Sequence, residues 1–522
     1  MAMETGLAHA GIEQGLKQFL LVLSVSLGVA TLPQVSSWFR RIPYTLLLVI
    51  VGLALATVDV RLVNLSPELI LFIFLPPLLF EAAWNIKWAD LKSDLKSICL
   101  YAVIGVVISI VGVAVGLNYF VGMPLEIALL IGASLSATDP VSVIALFREL
   151  GVDKRLSTLM EGESLFNDGM AVVAFSFLVV IPLSTTPVDL SFKSIAVQLL
   201  IVVSVGVGIG SLLGFGISYL TQRFDLPLVE QSLTLVSAYG SYLLAEEFGG
   251  SGVIAVVCTG LILGNFGSRI GMNPRTRVIV SEFWEFLAFF VNSIVFLLIG
   301  DQMEFDALGE NLIIIGVTIA CMVVSRAIAI YVLSLFSNSV KMSEPISWPK
   351  QIILWWGGLR GSVSIALALS VPAILPQREE IIAAVFGVVL FTLLAQGLTI
   401  QPILQKLKLL GNQPARQEYM ELVARQDALN RVLERLAQVG DRPGIDPEFV
   451  RLQETLVNSE LKRIDDETET LINQYPDLRD FTAEQLKSEL LAVEADSYAD
   501  YVKSGRLNKE LAPLLDVLIA ED

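Results

Sequence analysis

Histidine is almost missing from this 522-residue chain, occurring once, at His9, and cysteine occurs three times. Without imidazoles, a response to pH has to come from carboxylates in altered surroundings. Cys99, Cys258 and Cys321 each lie inside apolar sequence, which suits small buried residues and excludes a disulfide framework or thiolate metal cage. Charge is scarce as well. Asp, Glu, Lys and Arg make up 17% of the chain against 54% hydrophobic residues, and the mean hydropathy of +0.69 excludes a soluble globular protein. Bases are the scarcer sign, 35 against 52 acids, for a formal charge of −17. From Gly411 onward 24 acids face 13 bases, a balance of −11, so only −6 remains for everything before it. The acidity belongs mostly to the tail.

What the chain does have is apolar runs of about the 20 residues that cross a bilayer. Thirteen can be drawn between Phe19 and Leu407: 19–37, 43–60, 66–85, 97–120, 124–146, 160–183, 194–220, 229–246, 251–267, 283–300, 311–336, 350–372 and 381–404. The first is read as a span and not a secretion signal, because its leader Met1 to Gln18 carries Glu4, Glu13 and only Lys17. With the N-terminus outside, seventeen Lys and Arg fall on inner segments, among them Arg148, Lys154 and Arg155, and only Lys17, Arg61, Lys193 and Arg378 fall outside. That sorting follows the positive-inside rule, with the C-terminus in the cytoplasm.

Thirteen spans divide as six, one and six, and an offset of seven pairs spans of opposite orientation, as an inverted repeat requires. The fifth span is then the counterpart of the twelfth. The fifth is interrupted by Thr138-Asp139-Pro140 and the twelfth by Trp356-Gly357-Gly358-Leu359-Arg360-Gly361. Breaks at corresponding places in two halves point to a transporter's binding site; two unrelated irregularities are the alternative. The predicted class is therefore an all-α polytopic membrane protein, with a membrane domain over 1–410 and an acidic tail over 411–522. In the tail Gln417 to Gln438, Pro447 to Gln474 and Thr482 to Val502 read as amphipathic helices, separated by Gly440, Pro443, Gly444 and Pro476. The tail either packs on itself or a partner, or serves as a solvated spacer.

Acids at membrane depth cost roughly 2.5 to 3.5 kcal/mol each on insertion scales and mark ion or proton pathways by default. The stretch Ser134 to Phe175 concentrates them. Asp168 lies in the first turns of the sixth span, where desolvation disfavours its charged form. It can hold a proton or a hard cation, not both, and that exclusion is itself an exchange mechanism. The competing reading is a brace neutralised by a buried base. Asp139 precedes Pro140, which withholds an N–H and pushes the residue before it away from helical angles. The helix is expected to open at Thr138 and Asp139, freeing oxygen ligands of the kind an alkali cation prefers. Capping of the following half-helix is a second, compatible role for Asp139.

Glu163 and Asn167, four apart, share a helix face, whereas Asp168 is turned about 140° from Glu163. Ser164 stands four before Asp168 and offers a further hydroxyl ligand. Two arginines lie inside the spans. Arg326 is the expected structural partner of Glu163, since a buried charge needs one, and Arg360 is expected to offset Asp139 and helix-end charge. Glu81 is either a ligand at the inner mouth or an interfacial acid near Lys87.

ATDPV at 137–141, GESLFNDG at 162–169, LPPLLFEAA at 75–83 and GGLRGSVSIALAL at 357–369 together resemble the NhaP-type sodium/proton antiporters of the cation:proton antiporter-1 family. The resemblance covers roughly residues 15 to 410. It implies a thirteen-helix dimer, with two crossed broken helices in a core domain and a separate dimerisation domain. Carried over, Asp168 is the shared proton and cation site with Asn167 as its partner, and Asp139 is a second core acid. Ser164, the Thr138 carbonyl and Glu81 are cation ligands, Glu163 and Arg326 form the stabilising ion pair, and Arg360 lies in the second broken helix. Electrogenic relatives carry Asp where this chain has Asn167, which implies one-for-one, electroneutral exchange of Na+ (also Li+) for H+. No cofactor beyond these ions is implied. The expected partners are lipid and a second copy, with no nucleic acid, in a bacterial plasma membrane. Exchange of K+ by the same mechanism stays open, as does a cation channel, although no repeated filter or charge ring of the channel kind is present.

Overall fold

The computed structural model describes residues 17–32, 39, 42–57, 66–183, 192–223, 226–268, 272–303, 305–410, 413–440, 446–475 and isolated positions from 478 to 497. The described residues are helical nearly throughout and contain no strand. Lipid offers the backbone no hydrogen bonds, so a spanning segment has to satisfy its own N–H and C=O groups, and a helix does so within one segment.

The helices follow the apolar runs. They are α1 (Lys17–Leu32), α2 (Tyr44–Thr57), α3 (Leu69–Asn85), α4 (Trp88–Val121), α5 (Leu125–Ser134), α6 (Val141–Leu150), α7 (Lys154–Leu178), α8 (Phe192–Thr221) and α9 (Pro227–Glu247). Then come α10 (Gly252–Gly267), α11 (Pro274–Asp301), α12 (Phe305–Glu310), α13 (Leu312–Val340), α14 (Trp348–Trp356), α15 (Ser362–Leu369) and α16 (Arg378–Lys406). Five stretches, Trp88–Val121, Ala196–Thr221, Arg275–Asp301, Leu312–Val340 and Arg378–Lys406, are each long and apolar enough to cross a membrane alone. The expected ends 33–37 and 58–60, and the loop bases Arg40, Arg41, Arg61 and Arg269, lie outside the described residues.

Two sets of helices can be separated by what they pack on. In one, α2, α3, α8, α9, α10 and α11 lie against one another, and α1 joins through Ser26, whose hydroxyl donates to the Ser293 carbonyl on α11 at 3.3 Å. In the other, α4, α5, α7, α13, α15 and α16 do the same. The sets meet where α7 and α15 pass α3, α10 and α11.

Both expected interruptions are present. The fifth span runs as α5, stops at Ser134 and resumes at Val141, a wider opening than Thr138 and Asp139 alone. It begins early because Leu135 closes the last turn with ψ −2°, and Ser134 and Ser136 then satisfy carbonyls of the preceding turn with their hydroxyls. The twelfth begins with Trp348-Pro349, a proline placed where a missing N–H costs nothing. It opens over Gly357 to Gly361 before α15.

The chain divides into two compact units, Met1–Arg148 with Lys154–Leu409, and Glu149–Asp153 with Leu410–Asp522. In the second, α17 (Gln413–Gly440) and α18 (Pro447–Gln474) pair through Ala415, Leu422, Ile464 and Leu471, with Tyr419 and Leu429 alongside. Asp446 caps α18, its Oδ1 accepting from the Glu448 N–H at 2.9 Å. Most of the expected helix from Thr482 to Val502 lies outside the described residues.

Candidate functional site

The two openings touch. The Asp139 N–H donates to the Leu359 carbonyl at 2.8 Å, joining the interrupted backbones directly. Gly361 makes this approach possible, because a Cβ there would strike the Asp139 carboxyl. Arg360 is wholly buried, and its Nη1 donates to the carbonyls of Ala137 at 3.1 Å and Ser136 at 3.4 Å. These are groups freed at the end of α5, where a cation meets the negative end of the helix dipole. The Arg360 N–H in turn donates to the Thr392 hydroxyl at 3.1 Å. The expectation that Arg360 also offsets Asp139 needs correction. Among the described residues the two form no ion pair. Asp139 instead caps α6, its Oδ1 accepting from the Val141 N–H at 3.1 Å.

The long helix α7 carries the remaining groups. Its buried polar residues Glu163, Ser164, Asn167 and Asp168 divide between two faces. On one, Arg326 from α13 grips Glu163 with both arms, Nη1 to Oε1 at 3.0 Å and Nη2 to Oε2 at 2.9 Å. Asn167 Nδ2 donates to the Thr138 hydroxyl at 3.1 Å and to Glu163 Oε1 at 3.4 Å. The Ser164 hydroxyl donates to the Thr138 carbonyl. Thr138, Ser164 and Asn167 thus tie α7 to the first opening.

On the other face Asp168 looks into a cavity of about 340 Å³. The residue is 8% exposed and its Oδ1 has no hydrogen-bond partner. The Asn167 Oδ1 is likewise buried without one. Charges close enough to act on Asp168 are Asp139, Glu163 and Arg360. The cavity is walled by both helix sets: Glu81 and Asn85 from α3 and Glu285 and Asn292 from α11, facing Asp139, Glu161, Ser164 and Asp168. Glu81 accepts from the Asn85 amide at 2.5 Å, and Arg148 reaches Glu161 at 3.4 Å.

One cavity therefore brings together Glu81, Asp139, Ser164 and Asp168, with the Thr138 carbonyl behind Ser164. Among the described residues no three of His, Cys, Asp and Glu are grouped as a metal cage. Carbonyl, hydroxyl and carboxylate oxygens are the donors that a hard cation prefers. Sequence reasoning passed over Glu161, Glu285 and Arg148. Glu285 was open to detection as an acid inside the apolar run 283–300, and Asn85 as the residue four after Glu81.

Two interrupted helices meeting at a buried carboxylate, with a cavity that several acids line leading to it between two helix sets, define a membrane transporter of the broken-helix class. The chain belongs to the transmembrane sodium/hydrogen exchanger family, which matches residues 22–406. It is 60% identical, over the full length of both chains, to the Na+/H+ antiporter ApNhaP of Aphanothece halophytica. It is 57% identical to the low-affinity Na+/H+ antiporter NhaS1 of Synechocystis, covering 98% of this chain and 97% of that one. The sodium proton antiporter MjNhaP1 of Methanocaldococcus jannaschii superposes with a TM-score of 0.62 over 76% of this chain and 99% of its own, and at 20% identity it shows a shared fold.

Proposed function

We propose that this chain is a secondary antiporter that exchanges Na+, and also Li+, for H+ by alternating access, with Asp168 as the shared site. The observation that carries the reading is the Asp168 carboxylate, buried in the wall of a cavity it shares with Glu81, Asp139 and Ser164, with an oxygen unpartnered. It is supported by relatives that are named Na+/H+ antiporters along their whole length. A proton neutralises that carboxylate, and so does an alkali cation held with help from Ser164, the Thr138 carbonyl, Asp139 and Glu81. Neither can enter while the other stays.

The exchange is electroneutral, one cation for one proton. Glu163 is committed to Arg326, and Asp168 stands beside the uncharged Asn167 and not a second acid, which supports one exchanging carboxylate at this point. The protein works as a homodimer in a bacterial plasma membrane, N-terminus outside, with residues 411–522 as a cytoplasmic, regulatory tail.

The test is ion flux in proteoliposomes. A Na+ or Li+ gradient drives protons the opposite way, and the rate ignores an imposed potential, although one uncompensated charge would feel about 2.3 kcal/mol per 100 mV. Cation flux without proton counterflow would identify a channel, and coupling to K+ in preference to Na+ would reassign the ion.

A further inference from the structure

The polypeptide passes from one helix set to the other at Ile86–Lys87, the two residues between α3 and α4. Lys87 stands at the N-cap of α4 and provides no side-chain cap, leaving the first N–H groups of a 34-residue helix to find partners elsewhere. The partner comes from another helix. Asn265 Oδ1 accepts from the Trp88 N–H at 2.7 Å, and Nδ2 donates to the Ile86 carbonyl at 2.9 Å and to the Leu261 carbonyl at 3.0 Å. One amide therefore caps α4 in trans and holds the carbonyl on the far side of the crossing.

Asn265 is itself firmly rooted. It lies in the π-helical turn Leu263–Gly267, a wider winding of the kind that marks functional positions in helices. Next to it Gly264 lets α10 approach so closely that a Cβ would strike the backbone of Trp84. Trp84 in turn donates from Nε1 to the Ser281 hydroxyl of α11 at 3.0 Å. The end of α3, the turn of α10 and the start of α11 are thus one body. Trp88 begins the other, since α4 packs on α7 and α13, and α7 carries Asp168. The anchor belongs to one set and the first turn it grips belongs to the other.

We propose that Asn265 is a positioning residue of the transport cycle, pinning the crossing at Ile86–Lys87 so that the set carrying Asp168 turns about a fixed point as the cavity opens and closes. This rests on the alternating-access exchange proposed above. None of the residues assigned to the ion lies on the segment it holds, so Asn265 governs the rate of the conformational step and not ion affinity.

The test compares Asn265→Ala and Asn265→Asp with the unchanged protein in proteoliposomes, normalised to monodisperse protein, with Na+ half-saturation, turnover and pH profile all measured. Loss of a cap at this point is expected to lower turnover about fivefold in Asn265→Ala. Na+ half-saturation stays within about twofold and the pH profile stays in place. Asn265→Asp keeps the acceptor for the Trp88 N–H and falls between the two. If the alanine variant does not fold, the aspartate variant decides alone, by reduced turnover at unchanged half-saturation. Unaltered turnover per folded molecule, or a half-saturation shifted beyond that range, overturns the assignment. Absence of Na+/H+ exchange by the unchanged protein would instead defeat the functional reading beneath it, and the two failures are told apart in the same vesicles.

Discussion

Arg326 does more than neutralise Glu163. Beyond the bidentate pair, its Nη2 donates to the Leu354 carbonyl at 3.0 Å and its Nε to the Trp355 carbonyl at 3.3 Å, two carbonyls in the last turn of α14 before its helix opens. One guanidinium joins α7, α13 and the broken end of the twelfth span. It satisfies carbonyls that have no partner within their helix and sets a positive charge at the negative end of the helix.

Breaking this pair should cost the fold more than it costs the ion site. Glu163→Ala leaves a buried arginine uncompensated, a loss of about 3 to 5 kcal/mol for pairs of this kind. The expected outcome is a lower thermal midpoint in detergent and less monodisperse protein, with Na+ half-saturation near that of the unchanged protein in whatever folds. A stable Glu163→Ala protein with greatly weakened Na+ binding would place Glu163 among the ion's ligands.

Gly361 faces the Asp139 carboxyl where the two openings touch. Adding one methyl group in Gly361→Ala should push the openings apart and disturb the Asp139 cap of α6. We expect loss of most exchange activity at nearly normal expression. Wild-type turnover in this variant would show that the two breaks do not need contact.

Ser164 lines the cavity and contributes a hydroxyl held by the Thr138 carbonyl behind it. Ser164→Ala should raise half-saturating Na+ by roughly five- to tenfold, about what one lost polar contact is worth. Competition by protons should change far less, because a proton on Asp168 does not need that oxygen.

A shared site makes a specific demand on pH dependence. Protons compete with Na+ for one carboxylate, so the acid limb of the activity profile should move to lower pH as Na+ rises, by about one pH unit per tenfold increase when binding is strictly competitive. An acid limb that stays put while Na+ changes would mean that proton and cation bind at separate places.

The broken helices were legible because their causes are local. Pro140 and the glycines at 357, 358 and 361 weaken a continuous helix through the chain's own covalent structure, whatever packs around them. The Glu163–Arg326 partnership could be reasoned from scarcity, as few charges lie at depth and each needs a partner. Arg360 could not be assigned the same way. Its partners are the carbonyls of Ser136 and Ala137, backbone groups that carry no residue signature and become acceptors only because α5 ends early. The membership of Glu161 and Arg148 in the cavity wall depends on how two helix sets face one another, which no spacing within a single run contains. The capping of α4 by Asn265 is invisible for the same reason.

The most direct test is Asp168→Asn, which keeps the side chain's shape and removes its charge. In proteoliposomes holding correctly folded protein, it should abolish both Na+-driven proton movement and proton-sensitive Na+ binding. Exchange at a rate comparable to the unchanged protein would contradict the account, because the proton and the cation would then be using some other group.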